Sequence, residues 1–220
     1  MTLEHEAVRE RLLADCRAAL AEGGLASVRA RDLASKAGVS VGTIYNLFGN
    51  LDGLLQAAGS RILADFEALA ARRIEAGMHR LDAVAFASQE AELTARLLVL
   101  ADTYLDYLDQ HETEWTAMMS FNRQRQEGRA DDWYLAQQQT LFDWIGGLVA
   151  RMAVGASVET RQLAARALWS SVHGIVSLNY LGQRSEAARL HSWRQIELLV
   201  SCFVRGASRP ASAEHSGDPG

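Results

Sequence analysis

The sequence has little proline, few aromatic residues and no long apolar run, and each shortage excludes a kind of structure. Both prolines, Pro210 and Pro219, lie in the last eleven of the 220 residues. Because proline interrupts helices, the proline-free remainder suits a chain that is almost wholly helical. Aromatic residues make up only 7% of the chain and alternating β-branched segments are scarce, so strands have little support. No run of about 18 apolar residues occurs, which excludes a membrane-spanning helix.

Cysteine is scarce as well. Cys16 and Cys202 are the two cysteines, and their places on apolar helical faces predict small buried hydrophobes in a reducing cytoplasm, with redox sensing as the alternative. The N-terminus is acidic and lacks the basic-then-apolar order of a secretion signal. These features predict a cytoplasmic protein.

The net charge of −5 argues against a sequence-blind binder of nucleic acid. Residues 1–50 carry as many basic as acidic side chains, so the whole acidic excess lies beyond them. Within 24–50, three basic residues stand against one acidic residue. A small basic face on an acidic body is compatible with specific DNA binding through groove contacts.

Apolar residues, 49% of the chain, recur at helical intervals over most of its length, and we therefore predict an all-α fold. The first helix is expected over about Leu3–Ala21, where Gly23 and Gly24 end it. Further helices are expected over 90–110, 133–152, 158–181 and 187–205, with a short apolar segment over 114–121, a polar loop over 122–132 and Gly155 as a separator. The tail over 207–220 is rich in Ser, Pro, Gly and Ala, and is predicted to be disordered.

Residues 30–49 have the spacing of a helix-turn-helix. Ala34 is small where two helices would touch, and Gly38, four residues later, can adopt the positive φ that ends the first helix. Ser40 is a natural N-cap for a second helix. The apolar side of that helix consists of Val39, Ile44 and Leu47. Such motifs lay their second helix in the major groove of DNA, and an ordinary αα-hairpin is the alternative.

The segment from Val41 to Phe48, followed by Gly49-Asn50-Leu51-Asp52-Gly53-Leu54-Leu55, resembles the signature of the tetracycline-repressor (TetR) family of bacterial regulators over about residues 5–56. The resemblance implies a three-helix DNA-binding domain over 1–56, a connecting helix over about 50–76 that Asn50 caps and Gly77 ends, and a helical ligand-binding and dimerisation domain over 77–206. The sequence also departs from the family at three positions. Leu47 and Leu51 stand where the family usually has His and Lys that contact phosphate, and Arg29 stands where Ser or Thr usually caps a helix. The resemblance therefore implies that the chain docks on DNA as the family does, with a smaller electrostatic contribution to the binding free energy.

Nine residues are predicted to contact DNA: Arg29, Arg31, Lys36, Ser40, Val41, Gly42, Thr43, Tyr45 and Asn46. Gly42 lets the backbone approach a phosphate closely, and Thr43 near the helix N-terminus can donate to phosphate or meet a thymine methyl. The resemblance assigns Tyr45 a phosphate contact through its hydroxyl, with a packing aromatic as the alternative. Asn46 is the best candidate for reading a base, since an amide pairs with adenine through two hydrogen bonds. The three basic residues are the expected backbone clamps, and for Lys36 a solvated surface charge is the alternative. Leu47 and Phe48 are assigned to the core.

Residues 168–178 resemble a second pattern, the Trp-x-x-x-His-Gly stretch of a subgroup of the same family. Trp169 and His173 stand one helical turn apart, followed by Gly174. The family's C-terminal domain encloses a small-molecule pocket, and an aromatic and methionine lining suits a bulky apolar effector with one or two polar handles. Candidates for the lining are Tyr104, Tyr107, Trp115, Met118, Met119, Phe121, Trp144, Trp169 and His173. The alternative is that these residues are core, with His173 a buried histidine satisfied by a neighbour.

The sequence thus predicts a ligand-responsive transcription regulator, a repressor that binds a pseudo-palindromic operator on double-stranded DNA as a homodimer and is released by a small molecule. Residues 158–181 are apolar on two faces, and the second face suits another subunit. The alternative is a DNA-binding regulator without a small-molecule ligand, either an activator or a partner-controlled protein. The sequence has no nucleophile–base pair, no phosphate loop and no metal spacing among its six histidines, so no enzyme activity, metal or cofactor is predicted.

Overall fold

The computed structural model describes residues 3–125, 139–152 and 157–207, and the regular structure within these ranges is entirely helical. The all-α prediction is therefore confirmed. The α-helices are α1 (Leu3–Gly23), α2 (Ala30–Ala37), α3 (Val41–Phe48), α4 (Leu51–Asp82), α5 (Gln89–Arg125), α6 (Gln139–Met152), α7 (Val158–Asn179) and α8 (Glu186–Ala207), with a 3₁₀ turn over Gly24–Ser27. No helix in the described ranges is both long and apolar enough to span a membrane.

Most of these helices begin at a side-chain oxygen that accepts the backbone N–H three residues later. Such a cap satisfies one of the N–H groups that a helix start leaves without a partner. The capping residues of α3, α4, α5, α7 and α8 are Ser40, Asn50, Ser88, Ser157 and Ser185. Arg29, which precedes α2, makes no side-chain cap. The predicted caps at Ser40 and Asn50 are confirmed.

The chain packs as two compact units. Unit 1 comprises Met1–Arg72 and Tyr104–Gln139, and unit 2 comprises Arg73–Thr103 and Thr140–Gly220. Residues 51–72 of α4 and 104–125 of α5 belong to unit 1, and the remaining residues of both helices belong to unit 2. The domain boundaries predicted from function, 1–56 and 77–206, remain a prediction.

The N-terminal part of unit 1 has a small apolar core between α1, α2 and α3. Its buried side chains include Leu12, Cys16, Leu20, Leu33, Ala34, Ala37 and Ile44. Burial raises the pKa of the Cys16 thiol to about 12, so this side chain stays neutral. The predicted burial of Cys16 is confirmed, whereas Cys202 on α8 is exposed and the same prediction was wrong there. Cys202 is exposed because it lies two residues before Val204, on a different side of α8 from the buried stripe.

A second core in unit 1 is aromatic. Phe66 on α4 contacts three rings of α5, those of Tyr104, Tyr107 and Trp115, with centroid distances of 6.0, 5.0 and 5.2 Å in edge arrangements. The Tyr107 hydroxyl donates to the Ile62 carbonyl oxygen at 3.2 Å, and burial raises the pKa of that hydroxyl. These rings join α4 and α5 within unit 1.

In unit 2, α7 and α8 pack together through stripes spaced three or four residues apart. The buried residues are Ala165, Leu168, Val172 and Val176 on α7, and Ile196, Val200 and Val204 on α8. Large apolar side chains also point away from these stripes, and they are Leu163, Leu178, Leu190 and Leu198, between 50% and 86% exposed. Both helices therefore carry exposed apolar residues away from their buried stripes.

Arg96 connects the ends of two helices in unit 2. Its guanidinium donates to Asp82 at 2.6 Å and to Glu92 at 2.9 Å, and Arg151 of α6 donates to Glu92 at 2.8 Å. The hydrogen bond from Arg96 holds the pKa of Asp82 below its usual range, and the bonds from Arg151 and Arg96 do the same for Glu92.

Two helix boundaries differ from the prediction. Gly77 does not end the connecting helix, because α4 continues to Asp82 and a Cβ on Gly77 would lie 2.7 Å from Val99 Cγ1. The glycine therefore serves the close approach of two helices. The helix expected over 90–110 and the segment 114–121 together form the single helix α5, which is interrupted at His111 (φ −129°, ψ 20°) and continues to Arg125.

Several other predicted boundaries lie partly or wholly outside the described residues. The predicted loop over 122–132 is helical as far as Arg125, and its remainder lies outside the described residues. The predicted helix start near residue 133, Gly155 and the tail beyond Ala207 also lie outside the described residues.

Candidate functional site

Gly38 makes the turn between α2 and α3. It adopts φ 69° and ψ 32°, the left-handed conformation that glycine reaches without steric cost. Its N–H donates to the Ser35 carbonyl at 3.2 Å, and the Val39 N–H donates to the Ala34 carbonyl at 2.9 Å. This pair of bonds is a Schellman motif, and it satisfies the last carbonyls of α2. Ala34 is buried, as a close approach of helices requires.

Ser40 begins α3 and orders its first turn. Its hydroxyl oxygen accepts the Thr43 N–H at 3.1 Å, and it lies 3.0 Å from the Thr43 hydroxyl oxygen. Thr43 is thereby held at the helix N-terminus, where the helix dipole favours an anion. Gly42, beside it, is exposed.

Helix α3 has one buried side and one outward side. Ile44 is fully buried, whereas Tyr45 is 47% exposed and Asn46 is exposed. At 100° per residue, Gly42, Thr43, Tyr45 and Asn46 share the side opposite Ile44, and we call these four residues the α3 face. The structure thus brings the predicted DNA contacts of α3 together on one surface. Val41, also predicted to contact DNA, is half-buried at the start of the helix.

Leu47 and Phe48 are half-buried, so their assignment to the core was wrong in degree. Helix α3 is short and its last turn lies near the surface, which leaves these side chains incompletely covered. The guanidinium of Arg9 on α1 lies over the Phe48 ring, 5.2 Å from its centroid. Sequence reasoning missed this contact because the partners are 39 positions apart.

A close backbone approach fixes the junction of α3 and α4. Asn50 Oδ1 accepts the Gly53 N–H at 2.8 Å, and a Cβ on Gly53 would lie only 2.0 Å from the Phe48 carbonyl oxygen. A side chain at position 53 would therefore collide with the end of α3. The sequence alone does not distinguish Gly53, which the backbone of Phe48 approaches closely, from a glycine in a helix that has open space around it.

The three predicted clamps have different surroundings. Arg29 and Arg31 are exposed at the start of α2, and no described carboxylate forms an ion pair with either. Lys36, at the other end of α2, is exposed but pairs with Asp15 of α1, with 3.2 Å between Nζ and Oδ1. Arg11 of α1 donates to the Ala37 carbonyl oxygen at 3.3 Å and so stabilises the C-terminus of α2.

The predicted effector residues fall into both units. Tyr104, Trp115, Met118 and Phe121 are buried on α5 in unit 1, and Met119 is half-buried there. Tyr104 and Trp115 contact each other with 5.6 Å between ring centroids. Trp115 Nε1 is buried without a hydrogen-bond partner among the described residues.

Tyr107 is also buried on α5 in unit 1, and the other three candidates lie in unit 2. Trp144 on α6 is half-buried. Trp169 and His173 on α7 are also half-buried and stack with 5.9 Å between centroids and 24° between ring planes, as their spacing predicts. Ser177 Oγ lies 3.3 Å from His173 Nε2, one turn further along.

Sequence reasoning missed an ionic cluster of unit 1. Arg17 on α1 pairs with Asp65 on α4 and, at 3.4 Å, with the buried Glu114 on α5. His111, at the interruption of α5, lies 2.7 Å from Glu114 Oε1, and its ring stacks on Tyr107 with 4.4 Å between centroids. The cluster ties the first helix to the interrupted segment of α5.

Helix α3 is short, capped and polar on its outward face, and a glycine turn holds it on an apolar three-helix core. These features define a helix-turn-helix protein of the DNA-binding class. Two family profiles match the chain: "Bacterial regulatory proteins, tetR family" over residues 12–58, and "Tetracyclin repressor-like, C-terminal domain" over residues 97–198. The chain belongs to the TetR family of bacterial transcription regulators, and the resemblance seen in the sequence is confirmed. Membership of the Trp-x-x-x-His-Gly subgroup stays a prediction.

Similar proteins agree with this assignment. The HTH-type transcriptional regulator BetI 2 of Chromohalobacter salexigens is 46% identical over 66 residues, which are 30% of this chain and 32% of that protein. This match spans about a third of the relative's length. A tetR-family transcriptional regulator from Streptomyces coelicolor has the same fold, with a TM-score of 0.62 and 20% identity, covering 94% of this chain and 90% of that one. The multidrug binding protein EbrR, solved with imidazole, has a TM-score of 0.55 and 18% identity, covering 93% and 97%.

Proposed function

We propose that this regulator binds a pseudo-palindromic operator as a homodimer, represses the genes beside it, and leaves the DNA when a small molecule binds. The observation that carries the DNA-binding part is the α3 face. Its residues project from a helix whose opposite side is anchored by Ile44 and whose first turn is capped by Ser40. Such a helix can enter the major groove without unfolding its own support.

Each residue of the α3 face has a chemical role in this proposal. Gly42 permits close approach of a phosphate, and Thr43 donates to that phosphate at the helix N-terminus. The exposed Tyr45 hydroxyl contacts the DNA backbone, and Asn46 reads an adenine edge. Arg29 and Arg31 attract the flanking phosphates, and Lys36 joins them when it leaves Asp15.

The second apolar side of α7 and α8 supports the homodimer. Leu178 is 86% exposed, and Leu163 and Leu198 are 69% and 65% exposed. An exposed apolar surface on two neighbouring helices suits a four-helix contact with a second copy across a two-fold axis. Two DNA-binding domains related by that axis would contact half-sites about 34–36 Å apart, which is one helical turn of DNA.

The ligand response is supported by the aromatic and methionine residues of α5 and by the shared fold with EbrR, which is described as a multidrug binding protein. DNA and effector then oppose each other through a reciprocal coupling free energy, typically about 1–3 kcal/mol. One observation favours the alternative of a regulator without a small molecule. Tyr104 and Trp115 pack edge-on with Phe66, an arrangement that a plain core would also adopt.

The testing experiment selects genomic DNA fragments with the purified protein at moderate salt and sequences the recovered fragments. We expect one near-palindromic site to be enriched, and the double change Thr43→Ala with Asn46→Ala to abolish its enrichment. Thr160→Ala is a matched control, because Ser157 and Thr160 repeat the geometry of Ser40 and Thr43 at the start of α7. Enrichment that the double change leaves intact, or that Thr160→Ala also abolishes, would contradict the proposal.

A further inference from the structure

Two buried hydrogen-bond donors on α5 are without acceptors. Trp115 Nε1 and Asn122 Nδ2 have no hydrogen-bond partner within the part of the chain that the structure describes. Trp115 is 1% exposed and Asn122 is 7% exposed. A buried N–H without an acceptor is destabilising, and native proteins retain few such groups.

The two donors lie on one side of the helix with methionines between them. They are seven residues apart, which is close to two full turns and about 10 Å along the axis. Met118 and Met119 stand at the intervening turn, three and four residues after Trp115. Met118 is buried and Met119 is half-buried, so this strip approaches the surface at its middle. We call these four residues the donor strip.

We infer that the donor strip binds the effector, and that the effector is an elongated molecule with an apolar middle and a hydrogen-bond acceptor near each end. This assignment rests on the proposed ligand response. Thioether side chains are flexible and adapt to irregular apolar groups, so the two methionines suit the middle of such a molecule. The two N–H donors suit a carbonyl, amide or carboxylate oxygen at each end.

The surroundings of the strip disfavour a cationic effector. Glu114, next to Trp115, is the buried carboxylate of this segment, and it is already engaged by Arg17 and His111. The two unsatisfied atoms of the strip are both N–H donors, so an oxygen acceptor satisfies them, whereas an ammonium group, which only donates, does not.

The test measures binding of three eight-carbon probes to the full-length protein by calorimetry. We expect octanediamide and octanedioate to bind and 1,8-diaminooctane, which has the same length but is cationic, not to bind. Asn122→Leu should weaken binding of the amide by about tenfold, the effect of losing one hydrogen bond. Failure of both acceptor-bearing probes to bind, equal binding of the diamine, or unchanged affinity in Asn122→Leu would overturn the assignment.

The melting temperature of the protein without any probe provides a second test of the inference. Asn122→Leu removes a donor that has no acceptor, so its melting temperature should rise by about 2–4 °C. Asn179→Leu is the matched control, since Asn179 Nδ2 donates to the Ile175 carbonyl at 2.8 Å and to Gln195 at 3.3 Å, and its loss should lower the melting temperature. A fall in the Asn122→Leu variant would overturn the inference.

The operator site found by selection separates this inference from the proposed function. Probe binding that depends on Asn122 but does not release the operator supports the donor strip and contradicts the ligand response. Operator release by a compound whose affinity is unchanged in Asn122→Leu supports the ligand response and overturns the donor strip.

Discussion

Lys36 Nζ on α2 lies 3.2 Å from Asp15 Oδ1 on α1, so one of the three expected phosphate clamps already has an anionic partner within its own chain. Lys36 is 57% exposed while Asp15 is only 15% exposed, so the lysine is the mobile member of the pair. Binding to a phosphate requires Lys36 to exchange one anion for another.

Replacing Asp15 by Asn should therefore strengthen operator binding. The freed lysine neutralises one further phosphate, and the slope of log K against log salt should steepen by up to about 0.9. Fluorescence anisotropy over a salt series measures this slope. Glu10→Gln is the control, because it removes the same charge from α1 while its partner is Arg61 of α4. Equal steepening in both variants would show a general charge effect and contradict a specific role of Lys36.

Alanine substitution at two glycines of the helix-turn-helix region should change the free energy of unfolding in opposite directions. Gly53→Ala places a Cβ 2.0 Å from the Phe48 carbonyl oxygen, so the free energy of unfolding should fall by about 1–3 kcal/mol. Gly42→Ala meets only Ser40 Oγ at 3.5 Å, an ordinary contact, so helix propensity should raise the free energy of unfolding by up to about 1 kcal/mol. Gly42→Ala should nevertheless weaken operator binding, because its methyl group stands where a phosphate approaches.

Urea denaturation of both variants, followed by anisotropy on the operator, checks this pair. A stable Gly53→Ala protein would show that α3 and α4 can separate at their junction. Undiminished operator binding by Gly42→Ala would remove that residue from the DNA contact.

Leu178→Asp should convert the proposed dimer to monomers. Leu178 is 86% exposed in the single chain, so the substitution should cost little folding free energy, yet it places one charge from each copy in the proposed contact. We expect the dimer dissociation constant to rise by about a hundredfold, because two charges would enter the apolar contact without partners. Sedimentation measures it, with Val84→Asp, at a 50% exposed valine outside α7 and α8, as the control. A dimer unaffected by Leu178→Asp would place the interface on another surface.

Arg96 should make stability depend on acid pH. Asp82 and Glu92 have pKa values held below their usual range in the folded chain, so the unfolded chain binds protons more readily. Their contribution is complete above the ordinary carboxylate range and is lost as the pH falls from about 5 towards the lowered folded values. Arg96→Met should flatten this part of the stability profile.

Chemical denaturation between pH 3 and pH 7 gives the two profiles. Arg189→Met is a suitable comparison, because Arg189 forms a longer ion pair, 3.4 Å from Asp102. An acid slope that Arg96→Met leaves unchanged would assign the pH dependence to other carboxylates.

The parts of the molecule that sequence predicted well are those fixed by near neighbours. Gly38, Ser40 and Asn50 each act on backbone groups within four residues, and their roles follow from residue type. The buried side of α3 also follows from local spacing, because Ile44 and Leu47 stand three residues apart and Ile44 is fully buried. These local rules predicted most of the helix-turn-helix.

The parts that sequence could not predict depend on distant partners. Gly77 looks like a helix stop, and only the position of Val99 shows that it is a packing contact. Arg17 meets Glu114 across 97 positions, and Lys36 meets Asp15 across two helices. The predicted helix end near residue 110 lies beside the interruption at His111, but only the structure shows that the helix resumes after it and continues to Arg125.

The uncapped start of α2 sets helix stability against positive charge at one position. Ser or Asn at position 29 would cap α2 and add about 1 kcal/mol to folding stability, as the oxygen caps of other helices do. Arg29 instead places a cation beside a helix end that is already positive, which favours phosphate but not folding. A single substitution at position 29 therefore exchanges folding stability for attraction of an anion to the start of α2.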